Sequence, residues 1–279
     1  MHWKKNSAIE ALFRHVSHQN LLLVFLILPL SLVALYNGNP SLPMMPEDGM
    51  FISKEDWLGI KMGYEFDDVY DRQLHMAGKV PDHSLEKVQK YHSLSNFGVL
   101  TLNLNDRFEV FGLLGSMSCK LSQHLFKNTK VSYDTQTHFA WGAGARAILA
   151  YWGDLQLALN AAYVDSCLPL SSIKVNGSSY AKKQAQFDFC QWQVGMGISY
   201  RCSWFIPYIG VDYSDFRLKA EHLNGIGFLF PKKQVTFKEE YPMGLFFGFG
   251  ISPTRAFNLN IEVRLINENA LSFSGDFKF

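Results

Sequence analysis

Apolar and polar residues alternate one by one along much of this chain, most cleanly near its end. From Phe257 to Leu265, the apolar Phe257, Leu259, Ile261, Val263 and Leu265 interleave with Asn258, Asn260, Glu262 and Arg264. Further on, Leu271, Phe273, Phe277 and Phe279 share one side, and Ser272, Ser274, Asp276 and Lys278 take the other. A helix of this sequence would smear charge around its circumference, whereas a strand sends successive side chains to opposite faces. The same pattern predicts ten strands, near 57–70, 96–105, 108–118, 138–152, 155–165, 186–201, 205–218, 241–252, 257–266 and 270–279.

The connections between them alternate in length. Gln73–Ser95, Cys119–Thr137, Ser166–Ala185 and Lys219–Glu240 are long. Asp106-Arg107, Gly153-Asp154, Cys202-Ser203-Trp204 and Pro253–Ala256 are short. Only Asn267-Glu268-Asn269 is tight where a long connection is due. Long loops therefore gather on one rim and short turns on the other, as in transmembrane barrels. A soluble sandwich or lipocalin-like barrel shares the alternation but not this asymmetry. Within the first long connection, Ser84–Lys90 could form a short helix. Trp57, Phe108, Trp152, Trp204, Phe205, Phe257 and Phe279 fall toward the short-turn rim. Tyr70, Trp141, Tyr163, Tyr213 and Tyr241 fall toward the other, which makes two aromatic girdles at headgroup depth.

Composition agrees with a sheet that has one apolar face. Hydrophobic residues make up 48 % and aromatics 15 % of 279 residues, yet the mean hydropathy is −0.03. A net charge of +1 calls for no nucleic acid. Lys4, Lys5 and Arg14 precede an apolar run from Leu21 to Leu28 that resumes after Pro29, with a small residue at Ala34. That is the order of a secretory signal peptide over 1–34, leaving 35–279 as the barrel. The expected fold is all-β: a transmembrane antiparallel barrel of ten strands, with twelve as the alternative. Its environment is outer-membrane lipid.

Four cysteines, Cys119, Cys167, Cys190 and Cys202, show no metal-ligand spacing. Export would permit disulfides. Cys119 and Cys167 both fall near the long-loop rim and could bridge; Cys202, at the opposite rim, is the candidate for an intermolecular bond. Cys190, beside Trp192, reads as a small apolar residue.

Charges on a lipid face cost about 2–4 kcal/mol at the bilayer midplane for Arg or Lys, so polar strand residues must face inward. Lys61, Glu65, Arg146, Asp212, Glu262 and Arg264 are the expected pore-lining charges, with Arg146 and Arg264 as a constriction. Thr101, Asn103, Asn160, Gln191, Gln193, Asn260 and Asp276 share that face. The alternative is a salt-bridged plug, because ten strands lie near the size that side chains fill. Small residues in the same register, Gly63, Ala140, Gly142, Gly144, Ala158, Gly195, Gly197, Gly244, Gly248 and Gly250, leave room for a pore or for a plug. Asp67-Asp68 with Asp71 could hold a cation or be a solvated charge cluster. No nucleophile-elbow, zinc-protease or phosphate-loop motif is present, so neither an enzyme nor a cofactor is expected.

Several segments resemble the chlamydial major outer membrane protein family of porins. They are Gly38-Asn39-Pro40, Asp48-Gly49, Met62-Gly63-Tyr64, Val69-Tyr70-Asp71-Arg72, Ala140–Ala147, Tyr208-Ile209-Gly210-Val211 and Glu262–Glu268, in family order. The chain then ends on Phe277-Lys278-Phe279, with Phe273, Phe277 and Phe279 as the assembly signal. The resemblance implies an outer-membrane porin passing ions and small hydrophilic solutes, in homotrimers and in envelopes stiffened by disulfide-linked proteins. The chain departs from the family in being shorter and in having few cysteines. A structural or surface-interaction barrel that only anchors its loops is the other reading.

Overall fold

The computed structural model describes residues 36–45, 57–77, 88–125, 129–180, 184–223, 234–254 and 256–279. The expected signal peptide over 1–34 lies outside these residues. Fourteen strands follow a 3-10 turn at Leu42–Met44: β1(Leu58–Arg72), β2(Leu74–Ala77), β3(Val88–Leu104), β4(Phe108–Leu125), β5(Thr129–Thr135), β6(His138–Trp152) and β7(Leu155–Val175). The others are β8(Ser178–Tyr180), β9(Gln186–Tyr200), β10(Phe205–Glu221), β11(Val235–Glu239), β12(Met243–Thr254), β13(Phe257–Leu265) and β14(Glu268–Lys278).

Ten of these close a ring. The order β1-β3-β4-β6-β7-β9-β10-β12-β13-β14 returns to β1, with every neighbour antiparallel. These ten coincide with the ten strands read from the alternation. Closure leaves the ring without an unpaired edge, which hydrocarbon would not tolerate. Short turns such as Gly153-Asp154 join strands on one rim, and Gly153 takes φ +63°, a left-handed conformation that favours glycine.

The strands are longer than expected, and this corrects the reading of the long loops. A barrel strand needs about nine to eleven residues to cross a bilayer, but β7 has 21 and β4 has 18. Val88–Ser95, Lys120–Leu125, Thr129–Thr135 and Ser166–Val175 are strand, so much of the long-loop sequence is barrel wall. Val88–Lys90, read as the end of a short helix, opens β3; 84–87 lie outside the described residues. At the far end β5 pairs with β4 and β7, and β11 pairs with β10 and β2. The β2–β11 pairing passes over the tight Ile266-Asn267 turn, where Gln73 N donates to Asn267 O at 3.4 Å. The one tight turn on the long-loop rim therefore lies beneath a continuing wall.

Both faces of this wall change chemistry partway along. On β9 the inward residues are Phe187 and Phe189, then Gln191, Gln193, Gly195, Gly197 and Ser199. The outward residues are Gln186, Asp188 and Cys190, then Trp192, Val194, Met196, Ile198 and Tyr200. Strand β10 repeats the exchange: Phe216, Leu218 and Ala220 face in above Ser214 and Asp212, while Arg217 and Lys219 face out above Tyr213, Val211 and Ile209. From Trp192 to Tyr200 is roughly 26 Å along the strand, about 20 Å of height at the usual tilt. Trp192 packs on Tyr213 with ring centroids 5.6 Å apart, and Trp141 on Tyr163 at 5.8 Å. One girdle thus bounds an outward apolar band. Beyond it the barrel has the polar outside and apolar inside of a water-soluble wall.

Candidate functional site

All six expected pore-lining charges point into the membrane half of the barrel and are less than a tenth exposed. The lumen they enclose is occupied. Residues Tyr36–Met45 run inside it, and Tyr36, Asn37, Asn39, Ser41, Leu42 and Met45 are each no more than 2 % exposed. Near the short-turn rim, Lys61 Nζ donates to Leu42 O at 2.5 Å, to Met45 O, and to Glu109 Oε1 at 2.6 Å. Asn103 Nδ2 donates to Pro43 O at 2.5 Å, and the Ser41 and Ser199 hydroxyls meet at 2.7 Å. These bonds replace water for a short stretch of backbone that has no strand partner, which a buried peptide requires.

Deeper in, Glu262 receives the backbone N–H of Asn37 at 2.9 Å and of Gly38 at 3.1 Å. Tyr208 donates to the same carboxylate at 3.2 Å. Arg146 stacks over Phe111 at 4.3 Å and approaches Glu109 at 3.6 Å. Gly38 takes φ +95°, and a Cβ there would lie 2.8 Å from Arg146 Nε, so glycine serves both the turn and the close approach. The small residues on the wall are occupied likewise: Gly195 faces Asn37, Gly197 faces Pro40, and Gly250 faces Asn39. A cavity of about 10 Å³ between the segment and Ala158, Asn160 and Phe246 is the size of one water.

Above the segment stands an ion-pair tier. Arg264 donates to Asp67 at 2.8 Å, to Glu262 at 3.0 Å and to Glu268 at 2.7 Å. Arg72 pairs with Glu268, donates to Gln191 at 3.0 Å and lies 4.6 Å over the Phe216 ring. Asp212 accepts from Asn267 at 3.2 Å. Glu65 is buried nearby, with one carboxylate oxygen unpartnered among the described residues. Asp67 is thus a buried counter-ion of Arg264, which corrects both readings of the Asp67-Asp68 pair. Asp68 is buried too and lies 3.0 Å from His92. Among the described residues no cluster could hold a metal.

The last tier is apolar. Phe187, Phe189, Phe216, Phe237, Tyr91 and Tyr133 pack with Leu121, Leu168, Ile173 and Leu218 inside the extended wall. Cys119 belongs to this packing, whereas Cys167 is exposed on the outside of β7. The expected Cys119–Cys167 bridge is therefore not formed: the thiols lie on opposite sides of the wall. Cys202 is exposed in the short turn before β10, and Cys190 shares an outward contact with Tyr163 at 3.6 Å. Phe273 lies 6.4 Å from Phe66, and Phe277 lies 4.5 Å from Phe257, along the outward face of the closing strands. The Phe279 N–H bonds Ile60 O at 2.9 Å.

Sequence reasoning missed Tyr36, Asn37, Ser41, Arg72, Glu109 and Glu268. Glu109 and Glu268 sit in inward register, so alternation could have found them. The segment before β1 carried no periodic signal.

A closed antiparallel ring with an apolar belt outside and buried charges inside defines a transmembrane β-barrel of the outer-membrane kind. Residues 154–234 match the family model described as Chlamydia major outer membrane protein. The major outer membrane porin, serovar B, of Chlamydia trachomatis is 28 % identical over 68 % of this chain and 72 % of the relative. The serovar L1 porin is 24 % identical over 89 % of this chain and 95 % of the relative. That alignment runs over 375 positions against 279 residues here, so the relative carries stretches this chain lacks. The resemblance to this family, read from the chain's own segments, is shown by these matches. Among solved structures, an outer membrane channel from Pseudomonas putida F1 aligns at TM-score 0.40 and 10 % identity, covering 82 % of this chain and 100 % of that one. OprG from Pseudomonas aeruginosa aligns at 0.35 and 9 %, covering 79 % and 96 %. The strand register above, not this likeness, defines the barrel.

Proposed function

We propose that this chain is an outer-membrane porin that passes ions and small hydrophilic solutes, and that the described conformation is its closed state. One observation carries the reading. The membrane half of the lumen is filled by a tethered segment outside the sheet, while the wall behind it is polar and glycine-lined. With Tyr36–Met45 withdrawn, Lys61, Glu65, Arg146, Asp212, Glu262 and Arg264 would line the passage and set its selectivity. The relatives' porin names support this. Conduction also requires the apolar outer tier to part, and that tier favours a second reading, a barrel that anchors a rigid projection.

Planar-bilayer conductance separates the two. The full mature chain should conduct rarely, and a variant lacking 36–45 should give frequent discrete steps. Silence from both, in protein that migrates as folded, overturns the pore and leaves the anchor. We further propose that 1–34 is removed on export and that the exposed Cys202 carries any disulfide to another envelope protein. A homotrimer would meet through the apolar band. Cross-linked envelopes on reducing and non-reducing gels read the last two.

A further inference from the structure

The outer wall beyond the girdle carries a cationic cleft that neither the lumen nor the ring closure uses. Antiparallel register aligns Lys90, Ser122, Ser132 and Lys174 on one rung across β3, β4, β5 and β7. All four alternate with buried inward residues, so they face outward. The rung on one side places Lys120 between His92 and Asp134, and the rung on the other pairs His124 with Lys130. Neighbouring strands lie about 4.8 Å apart, so the two serine hydroxyls are adjacent and the flexible lysine ammonium groups can converge on them. Lys90, Lys120, Lys130, Ser122 and Ser132 line a cleft of about 360 Å³.

Its charge is only partly compensated. On β10, by contrast, two outward cations are paired along their own strand: Arg217 with Asp215 at 2.7 Å and Lys219 with Glu221 at 2.5 Å. Lys90, Lys120 and Lys130 make no ion pair among the described residues. The acid lining the cleft, Asp134, lies opposite Lys120 and also accepts a hydrogen bond from the Ser172 hydroxyl at 2.9 Å, so three lysines face a single carboxylate. Three ammonium groups around two hydroxyl donors suit a phosphate, whose oxygens accept from both.

The position says which phosphate. Phe139, 56 % exposed on the apolar band, is in register with Ser116, four residues short of Lys120 on the same outward face. That is about 13 Å along the strand, or roughly 10 Å of height at the usual tilt. The cleft thus opens sideways at headgroup level, not upward into bulk solution. We infer that the β3–β4–β5 cleft binds the phosphorylated sugar headgroup of an outer-leaflet glycolipid. This rests on the outer-membrane reading but not on conduction, so a silent barrel that binds the lipid leaves it standing.

The test titrates the full mature protein, in neutral detergent, with bisphosphorylated lipid A and with dephosphorylated lipid A. Basic residues near an anionic surface act roughly additively, so the K90A/K120A/K130A variant should bind on the order of a hundredfold more weakly. The R217A/K219A variant should stay within about twofold of wild type. Undiminished binding by the triple variant, or equal binding of the dephosphorylated lipid, overturns the inference. Lysine-dependent capture of a soluble sulfated oligosaccharide in preference to lipid A also overturns it, by reassigning the cleft to a free glycan. Heat-modifiable migration on gels verifies that each variant is folded.

Discussion

Gly195 shows how closely the lumen is filled. A Cβ at this position would sit 2.5 Å from Asn37 Oδ1, and Gln193 on the same strand already donates to that oxygen at 3.1 Å. The backbone is extended strand, so Gly195→Val fits the wall but not the segment. Overpacking of this kind costs about 1–3 kcal/mol. The account predicts that G195V raises the frequency of conductance steps by about tenfold without lowering the amount of folded barrel. Unchanged step frequency would mean that Tyr36–Met45 does not limit conduction. The inward orientation of Glu262 and Arg264 was legible at this scale, because charge on a lipid face is prohibitive. Their partners were not: the Glu262–Asn37 bond joins residues 225 apart in sequence, and alternation encodes orientation but not which distant backbone arrives opposite.

The strands carry two environments end to end. On β10, Phe216 lies buried with Tyr91 at 5.2 Å, Phe189 at 5.4 Å and the Arg72 guanidinium at 4.6 Å. Removing a buried Phe costs about 3–5 kcal/mol in a tightly packed core. Phe216→Ala should therefore lower the urea midpoint of the vesicle-inserted barrel by that equivalent. A loss below about 1 kcal/mol would show that the tier is loosely filled. The extent of these strands was the main feature missed in the sequence. Cys119-Lys120-Leu121 and Val131-Ser132-Tyr133, inside the expected loop Cys119–Thr137, alternate as regularly as Phe257–Leu265 does. Polar residues on the outward side made such stretches look like loop, although alternation is equally good evidence for a strand in water.

At the scale of the molecule, ten strands, the short-turn rim and the girdle at the long-loop end were all visible in the pattern of single residues. The occupied lumen was not, because a segment without periodicity is silent in such a reading. Nor was the exchange of faces, since a period of two does not say which side meets solvent. Lipid around one half of the wall and water around the other is the claim on which pore, plug and headgroup cleft all depend. Single spin labels along β9, at Gln186, Asp188, Trp192, Val194, Met196 and Ile198 in a cysteine-free background, test it most directly. In lipid vesicles, labels at 192, 194, 196 and 198 should be accessible to oxygen and shielded from a water-soluble nickel complex, and labels at 186 and 188 should show the reverse. One uniform accessibility along all six outward positions would contradict the account.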